Sequence, residues 1–306
     1  MRSLFISLLL LAPLMYAQAQ QSGISVADPS PASGESSSSI KVPVSSYSPE
    51  ESNLKAFGIS FFSLGGVNSD QFNRPDPSFY VYDGYLSFNF KVNRNLRFAA
   101  RPAFNYSTEG LDYMGTPVTN KMQTRDFSLL ATNYNVGEDD LPANQDLKIQ
   151  TRMYLPTGEG SKAEGMIARL RFEFEHRYYV GRYSNIRTYV KPSYYFQRTT
   201  SYLDSAGKLK TTNLADVQYG SEVDVNLNKY FSVKPGFEFE DSWTNESDVN
   251  DRDGRHTTTI AYRFGVEVRP VKEFNFTIGY QDRRDLVQSD RAKDLSYSLM
   301  TNVRIY

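Results

Sequence analysis

Cysteine is absent from the 306 residues, which removes disulfides, thiolate chemistry, cysteine-ligated metals and an N-terminal lipidated cysteine together. Histidine is nearly absent: with 2 in the chain, His176 and His256, few side chains can act as a default base near neutral pH. Net charge is scarcely present either, at -1, so there is no basic excess of the kind nucleic acid demands and no nucleic-acid partner is expected. After the first residues no apolar run is long enough to cross a bilayer as a helix, and a hydrophobic content of 40% is too low for a helical membrane protein. No Gly-rich phosphate loop precedes a helical pattern, and no cofactor is expected.

What the chain does have is aromatic residues, 22 Tyr and 20 Phe, which favour strands. The clearest strand is Met166 to Tyr178. Met166, Ala168, Leu170, Phe172 and Phe174 fall on one side, and Arg169, Arg171, Glu173, Glu175 and Arg177 on the other. A helix would smear these charges around its circumference, whereas a period of two separates them onto opposite faces. In a soluble sheet the charged face would meet bulk water; in an outer-membrane barrel the apolar face meets lipid and the charged face a wet interior.

Residues 1-19 carry one basic residue, Arg2, an apolar run from Leu4 to Met15, and Ala17-Gln18-Ala19 as a small-x-small site. This predicts a secretory signal peptide cut after Ala19, since a membrane anchor needs about 20 apolar residues. Residues 20-53 are Ser/Pro-rich with almost no large apolar side chains, and are expected to form a disordered arm. Residues 54-306 hold about twelve alternating segments, within the range of outer-membrane barrels.

The connections between segments alternate in length. Asn93-Arg94-Asn95, Gly181 to Asn185, Asn228-Lys229-Tyr230 and Pro270 to Glu273 are short, whereas Gly65 to Ser78, Ser107 to Lys121, Pro156 to Glu164, Ser201 to Asn213, Thr244 to Arg255 and Asp282 to Asp294 are longer and polar. Short periplasmic turns and long outer loops have this register. The predicted fold class is all-β: an antiparallel transmembrane β-barrel of about twelve strands, lying in the outer membrane with its lipids as partners. Tyr178, Tyr179, Tyr183, Tyr194, Tyr195, Tyr230, Phe231 and Trp243 fall towards strand ends, where interfacial girdles are expected. A secreted β-sandwich is the soluble alternative; strands of about 9 to 13 residues argue against it, since soluble strands usually have about 5 to 6.

The signal peptide, the even strand count and a last strand L-S-Y-S-L-M-T-N-V-R-I-Y ending on Tyr306 resemble Gram-negative outer-membrane β-barrels. The resemblance implies a last strand read by the barrel-assembly machinery during biogenesis. In that signature the terminal aromatic shares the lipid-facing phase; here Leu295, Tyr297, Leu299, Val303 and Ile305 share one phase and Tyr306 has the other. Strand number and Arg-bearing strands are most similar to narrow twelve-stranded porins for acidic oligosaccharides. The likeness covers Leu54 to Tyr306 as a pattern, without a diagnostic motif.

Assigning phases strand by strand gives the expected pore lining: Arg97, Arg101, Lys148, Arg152, Arg169, Arg171, Arg177, Arg187 and Lys191 on a basic run of wall, and Asp216, Glu222, Asp224, Glu238 and Glu240 on an acidic one, with Lys234 among them. Two such walls would set up a transverse field across a low-dielectric lumen. This leads to a porin-like channel for passive diffusion of small hydrophilic solutes, acidic ones included. The competing expectation is a closed, salt-bridged barrel acting through its outer loops as an adhesin, receptor or structural protein.

A hydrolase comes third. His256-Thr257-Thr258 resembles the His-x-Ser of outer-membrane phospholipases, but has Thr258 where the nucleophilic Ser would stand and no recognisable orienting Asn. Asp251 and Asp253 near His256 read as a solvated charge cluster. The loop Asp248 to Gly254 has oxygen ligands, but aligning Gly254 on the EF-hand glycine puts Val249 at the first position and leaves no closing Glu, so no metal site is expected.

Overall fold

The computed structural model describes residues 57–68, 80–111, 117–137, 139–203, 207, 209–245, 256–271, 273–286 and 294–305. The chain divides into Met1–Ile40 and Lys41–Tyr306, and every described residue belongs to the second unit. The predicted signal peptide and Ser/Pro-rich arm, the outer-loop residues 246–255 and Tyr306 lie outside the described residues.

The strands are β1 (Phe57–Asn68), β2 (Tyr80–Lys91), β3 (Leu96–Arg101), β4 (Ala103–Leu111), β5 (Pro117–Thr124), β6 (Phe127–Asn133), β7 (Gln145–Leu155), β8 (Met166–Val180), β9 (Ser184–Gln197), β10 (Ser201–Leu203), β11 (Leu209–Thr211), β12 (Asn213–Asn226), β13 (Phe231–Thr244), β14 (His256–Val271), β15 (Phe274–Asp285) and β16 (Asp294–Arg304). One short helix, α1 (Glu159–Ala163), lies between β7 and β8. All but β10 and β11 form one 14-stranded antiparallel sheet, and β1 closes it by pairing with both β16 and β2. The fold is a closed all-β barrel.

The sheet has 14 strands where the sequence reading expects about twelve. Two expected strands are each interrupted. Pro102 has no N–H for the ladder, so β3 ends at Arg101 and β4 begins at Ala103. On the adjoining stave Arg125–Asp126 separates β5 from β6. Both breaks fall at one level: β2 pairs with β3 below it and with β4 above it, and Arg125 N–H donates to Ala103 O at 2.9 Å. The interruption has a use: Asp126 accepts from Gly158 N at 3.1 Å and from Ser161 Oγ at 2.6 Å, which seats the turn carrying α1.

Two of the short turns are built by the same device. Asn93 Oδ1 accepts from Asn95 N and Leu96 N, and Asn228 Oδ1 accepts from Tyr230 N and Phe231 N, so the side chain takes the place of a backbone turn acceptor. Gly181 supplies a φ of 65° for the turn between β8 and β9.

Alternation works as the period of two requires, with apolar side chains outward and charged ones inward. Phe98, Met153, Phe172, Phe174, Val190, Phe237, Phe264, Ile278 and Leu299 are exposed on the outer face, while Gln150, Glu175, Asp216, Asp224, Glu238 and Glu267 are buried on the inner one. In a bilayer, the reverse phase would put guanidinium groups against lipid at about 2 to 4 kcal/mol each near the midplane. Three details differ from the sequence reading. Met166 is 5% exposed and does not join the outward series, because the β8–β9 register shifts between Met166 and Ala168. Tyr179 and Tyr195 do not enter a girdle; each donates its hydroxyl inward, to Asp146 and Asp216. β15 continues to Asp285, so Asp282 belongs to a strand rather than to a loop.

Candidate functional site

The site is the inner wall, and register determines which charges meet on it. Every residue expected to line a pore shares the inner phase of its strand: Arg97 and Arg101 on β3, Lys148 and Arg152 on β7, Arg169, Arg171 and Arg177 on β8, Arg187 and Lys191 on β9, Asp216, Glu222 and Asp224 on β12, and Glu238 and Glu240 on β13.

Glu175 is 2% exposed and gathers Lys148 at 2.6 Å, Arg177 at 2.7 Å and Arg187 at 3.7 Å. Lys148 also reaches Glu173 at 3.3 Å, and Arg187 reaches Glu222 at 3.2 Å. Asp216 takes Arg169 at 2.6 Å and Arg171 at 3.6 Å, both passing over Ser193, whose hydroxyl accepts from each. Nearer the short-turn end, Glu267 holds Lys234 and Arg269 at 2.8 Å each.

Small inner residues make these reaches possible. Gly220 is paired with Tyr189 on one side and with Glu238 on the other, and with no side chain between them Tyr189 donates to Glu238 Oε2 at 2.7 Å. A Cβ at Gly220 would lie 2.2 Å from Phe237 O, so the close approach of the two backbones also depends on glycine.

Aromatic rings hold several cations. Arg101 lies over Tyr85 at 4.5 Å, Arg169 over Tyr195 at 4.6 Å and over Tyr154 at 5.2 Å, and Lys191 over Tyr189 at 4.0 Å. Arg152 donates to Tyr154 Oη at 3.1 Å.

Inner-wall bases absent from the sequence reading include Arg263 and Arg269 on β14 and Arg283 on β15. Arg263 pairs with Glu238 and Arg283 with Glu240, both at 2.6 Å. The signal was available, since Arg263, Glu267 and Arg269 alternate with Tyr262, Phe264, Val266 and Val268. With these bases beyond it, the acidic strip of β12 and β13 is bordered by cations on both sides. The charges neutralise one another locally more than two opposed walls would, and the field across the lumen is correspondingly weaker.

Among the described residues every ion pair joins one strand to itself, to its neighbour or to the next but one along the wall; none spans the lumen. The inner faces of β16, β1 and β2 are mostly neutral, with Phe62 stacked on Tyr85 at 4.8 Å and Asn89 beside Ser60 and Ser87, while Asp83 and Lys91 on β2 and Arg304 on β16 share the inner phase.

The histidines stand elsewhere. His176 faces outward and meets Gln145 Oε1 at 2.9 Å. His256 Nε2 lies 3.2 Å from Asp241 Oδ1 and 3.5 Å from Thr258 Oγ1, so one nitrogen faces both acid and hydroxyl. A catalytic triad needs the acid on one ring nitrogen and the nucleophile on the other. Asp251 and Asp253 lie outside the described residues. No cluster of His, Asp and Glu suited to a metal occurs among the described residues.

No family model and no curated protein matches the sequence. Among solved structures the chain is similar to the COG4313 outer membrane channel from Pseudomonas putida F1, with a TM-score of 0.58 at 10% identity over 82% of this chain and 96% of that one. The KdgM porin in complex with disordered oligogalacturonate gives 0.47 at 7% identity, covering 81% of this chain and 99% of that one. The NanC porin gives 0.47 at 11%, covering 80% and 100%. The closed antiparallel sheet, apolar outside and charged inside, has the fold of a Gram-negative outer-membrane β-barrel.

Proposed function

We propose that the chain resides in the outer membrane as a porin-like channel for passive diffusion of small hydrophilic solutes, acidic ones included, with the inner-wall charges as its pore lining and no chemical step. The observation that carries this reading is the direction of the ion pairs among the described residues, which run along the wall and do not cross the lumen. Exposure supports it: Arg263 and Arg283 face inward, are paired, and still keep 42% of their side-chain surface accessible. Side chains filling a barrel would leave its cations no such access.

A closed barrel working through its outer loops is the second reading, and the pairing around Glu175 and Glu267 favours it. Liposomes containing the purified protein separate the two. A channel swells them in iso-osmotic small sugars, and acidic sugars enter at least as fast as neutral ones of equal size. Liposomes that hold their volume, with protein whose gel mobility still changes on heating, leave the loop reading in place.

A further inference from the structure

The channel reading gives the charged part of the inner wall its role and leaves one strip of that wall without one. On β16, β1 and β2 large apolar side chains take the inner phase: Met300, Leu64 and Phe62, with Tyr85 beside them. All four are partly open rather than buried. Leu130, which takes the inner phase of β6, is by contrast 3% exposed. Apolar surface left open on a charged wall is the unusual case, and it is how binding sites for small molecules are lined.

Register arranges the strip in levels along the barrel. Leu64 lies between Asp83 of β2 and Met300 of β16; nearer the short turns Phe62 lies between Tyr85 and Asn302, and then Ser60 between Ser87 and Arg304. Phe62 and Tyr85 stack at 4.8 Å with planes 18° apart. Arg101 reaches in from β3, donates Nε to Ser87 Oγ at 3.0 Å and lies over the Tyr85 ring at 4.5 Å. Its guanidinium is thereby held in place, while its two terminal nitrogens meet no hydrogen-bond acceptor among the described residues. Asp83 likewise meets no donor and no cation among them. Positive charge therefore stands on the short-turn side of the apolar patch and negative charge on the loop side, and neither is used within the wall.

We propose that this strip binds a zwitterionic dipeptide with apolar side chains, an inference that rests on the channel reading because the ligand must enter the lumen. Its carboxylate takes the terminal nitrogens of Arg101, its ammonium group takes Asp83, and its side chains lie on Phe62, Leu64 and Met300. The two charged contacts orient the ligand, and the apolar contact adds to its affinity. The span fits. The guanidinium lies over Tyr85, and Asp83 is two residues along the same face, about 6.6 Å at the rise of a strand. Two extended peptide residues cover about 7 Å. A single amino acid is too short to reach both charges, and an acidic sugar brings hydroxyls to the apolar patch and no cation to Asp83.

Calorimetric titration of the protein in nanodiscs reads binding without transport. Leucyl-leucine should bind saturably, and glycylglycine, which has both charges and no side chains, at least about tenfold more weakly. Arg101→Gln and Asp83→Asn should each weaken leucyl-leucine about tenfold, the equivalent of one charge-assisted hydrogen bond. Arg182→Gln, in the turn between β8 and β9, should leave it unchanged. Leucyl-leucine acetylated on its amine should lose the same factor, and Asp83→Asn should cost the acetylated peptide nothing further. Equal binding of glycylglycine or of the acetylated peptide overturns the proposal, and both comparisons use the wild-type protein, so they do not depend on a variant's assembly. Unaltered binding in Asp83→Asn overturns it too. Liposomes that swell in small sugars, with protein that does not bind leucyl-leucine, overturn the site alone; liposomes that hold their volume, with protein that binds no dipeptide, overturn the channel reading as well.

Discussion

Replacing Glu175 by Gln perturbs the most heavily used acid of the inner wall. Its carboxylate is 2% exposed and serves Lys148, Arg177 and Arg187. Without it Lys148 falls back on Glu173 and Arg187 on Glu222, while Arg177 keeps no carboxylate within ion-pair distance among the described residues. Breaking a fully buried pair costs roughly 3 to 5 kcal/mol. Here two of the three cations keep another acid, and all three are between 18% and 30% exposed, so about 2 to 3 kcal/mol is the better expectation. Glu222→Gln is the control: Glu222 is 25% exposed and serves one partner, so it should cost about 0.2 to 1 kcal/mol. The loss of heat-modifiable mobility, followed in denaturant for both variants, gives the difference. If Glu175→Gln proves no more costly than Glu222→Gln, the pairs are behaving as solvated surface pairs and the burial argument fails.

Gly220→Ala should destabilise the barrel by about 1 to 3 kcal/mol, the usual cost of overpacking, because the new Cβ would lie 2.2 Å from Phe237 O; the same denaturant assay reads it, and a neutral result would show that β12 and β13 can separate freely. Burial, and secondarily the charge of Asp126, holds the Glu164 carboxyl above its usual range, with Lys210 opposing. A raised folded pKa means that its contribution is complete below the ordinary value of 4.5 and is lost as pH rises through the raised value. The turn carrying α1 should therefore be cut more readily by protease as pH climbs through that window, and Glu164→Gln should flatten the trend; a trend unchanged in the variant contradicts the assignment. An epitope inserted within residues 246–255 should be labelled on intact cells and one at Asn93 to Asn95 should not. Labelling of the second alone would invert the topology.

Alternation carried most of the architecture because a period of two survives without knowledge of any partner strand. Lys148, Arg152, Arg169 and Arg187 could be assigned to the inner face from their own strands. What alternation does not encode is register, and register decides that Glu175 meets cations from two strands besides its own and that Gly220 lets Tyr189 reach Glu238. The Pro102 interruption was legible in principle, since proline cannot donate to the ladder. Its counterpart at Arg125–Asp126 was not, because that break follows from the neighbouring strand. Asp282 and Arg284 were read as loop because they are charged on the outward phase, a signal that separates loop from strand only within the hydrocarbon layer.

The central claim is a water-filled lumen lined by paired charges, and single-channel recording in planar bilayers tests it most directly. Wild-type protein should give discrete conductance steps. Reversing Arg169, Arg171 and Arg187 to Glu should move the reversal potential under a salt gradient towards cation selectivity, more at low salt than at high, because the Debye length shrinks from about 30 Å at 0.01 M to about 3 Å at 1 M. Wild-type protein that is heat-modifiable yet electrically silent would contradict the account, most plainly if the reversed variants also failed to assemble.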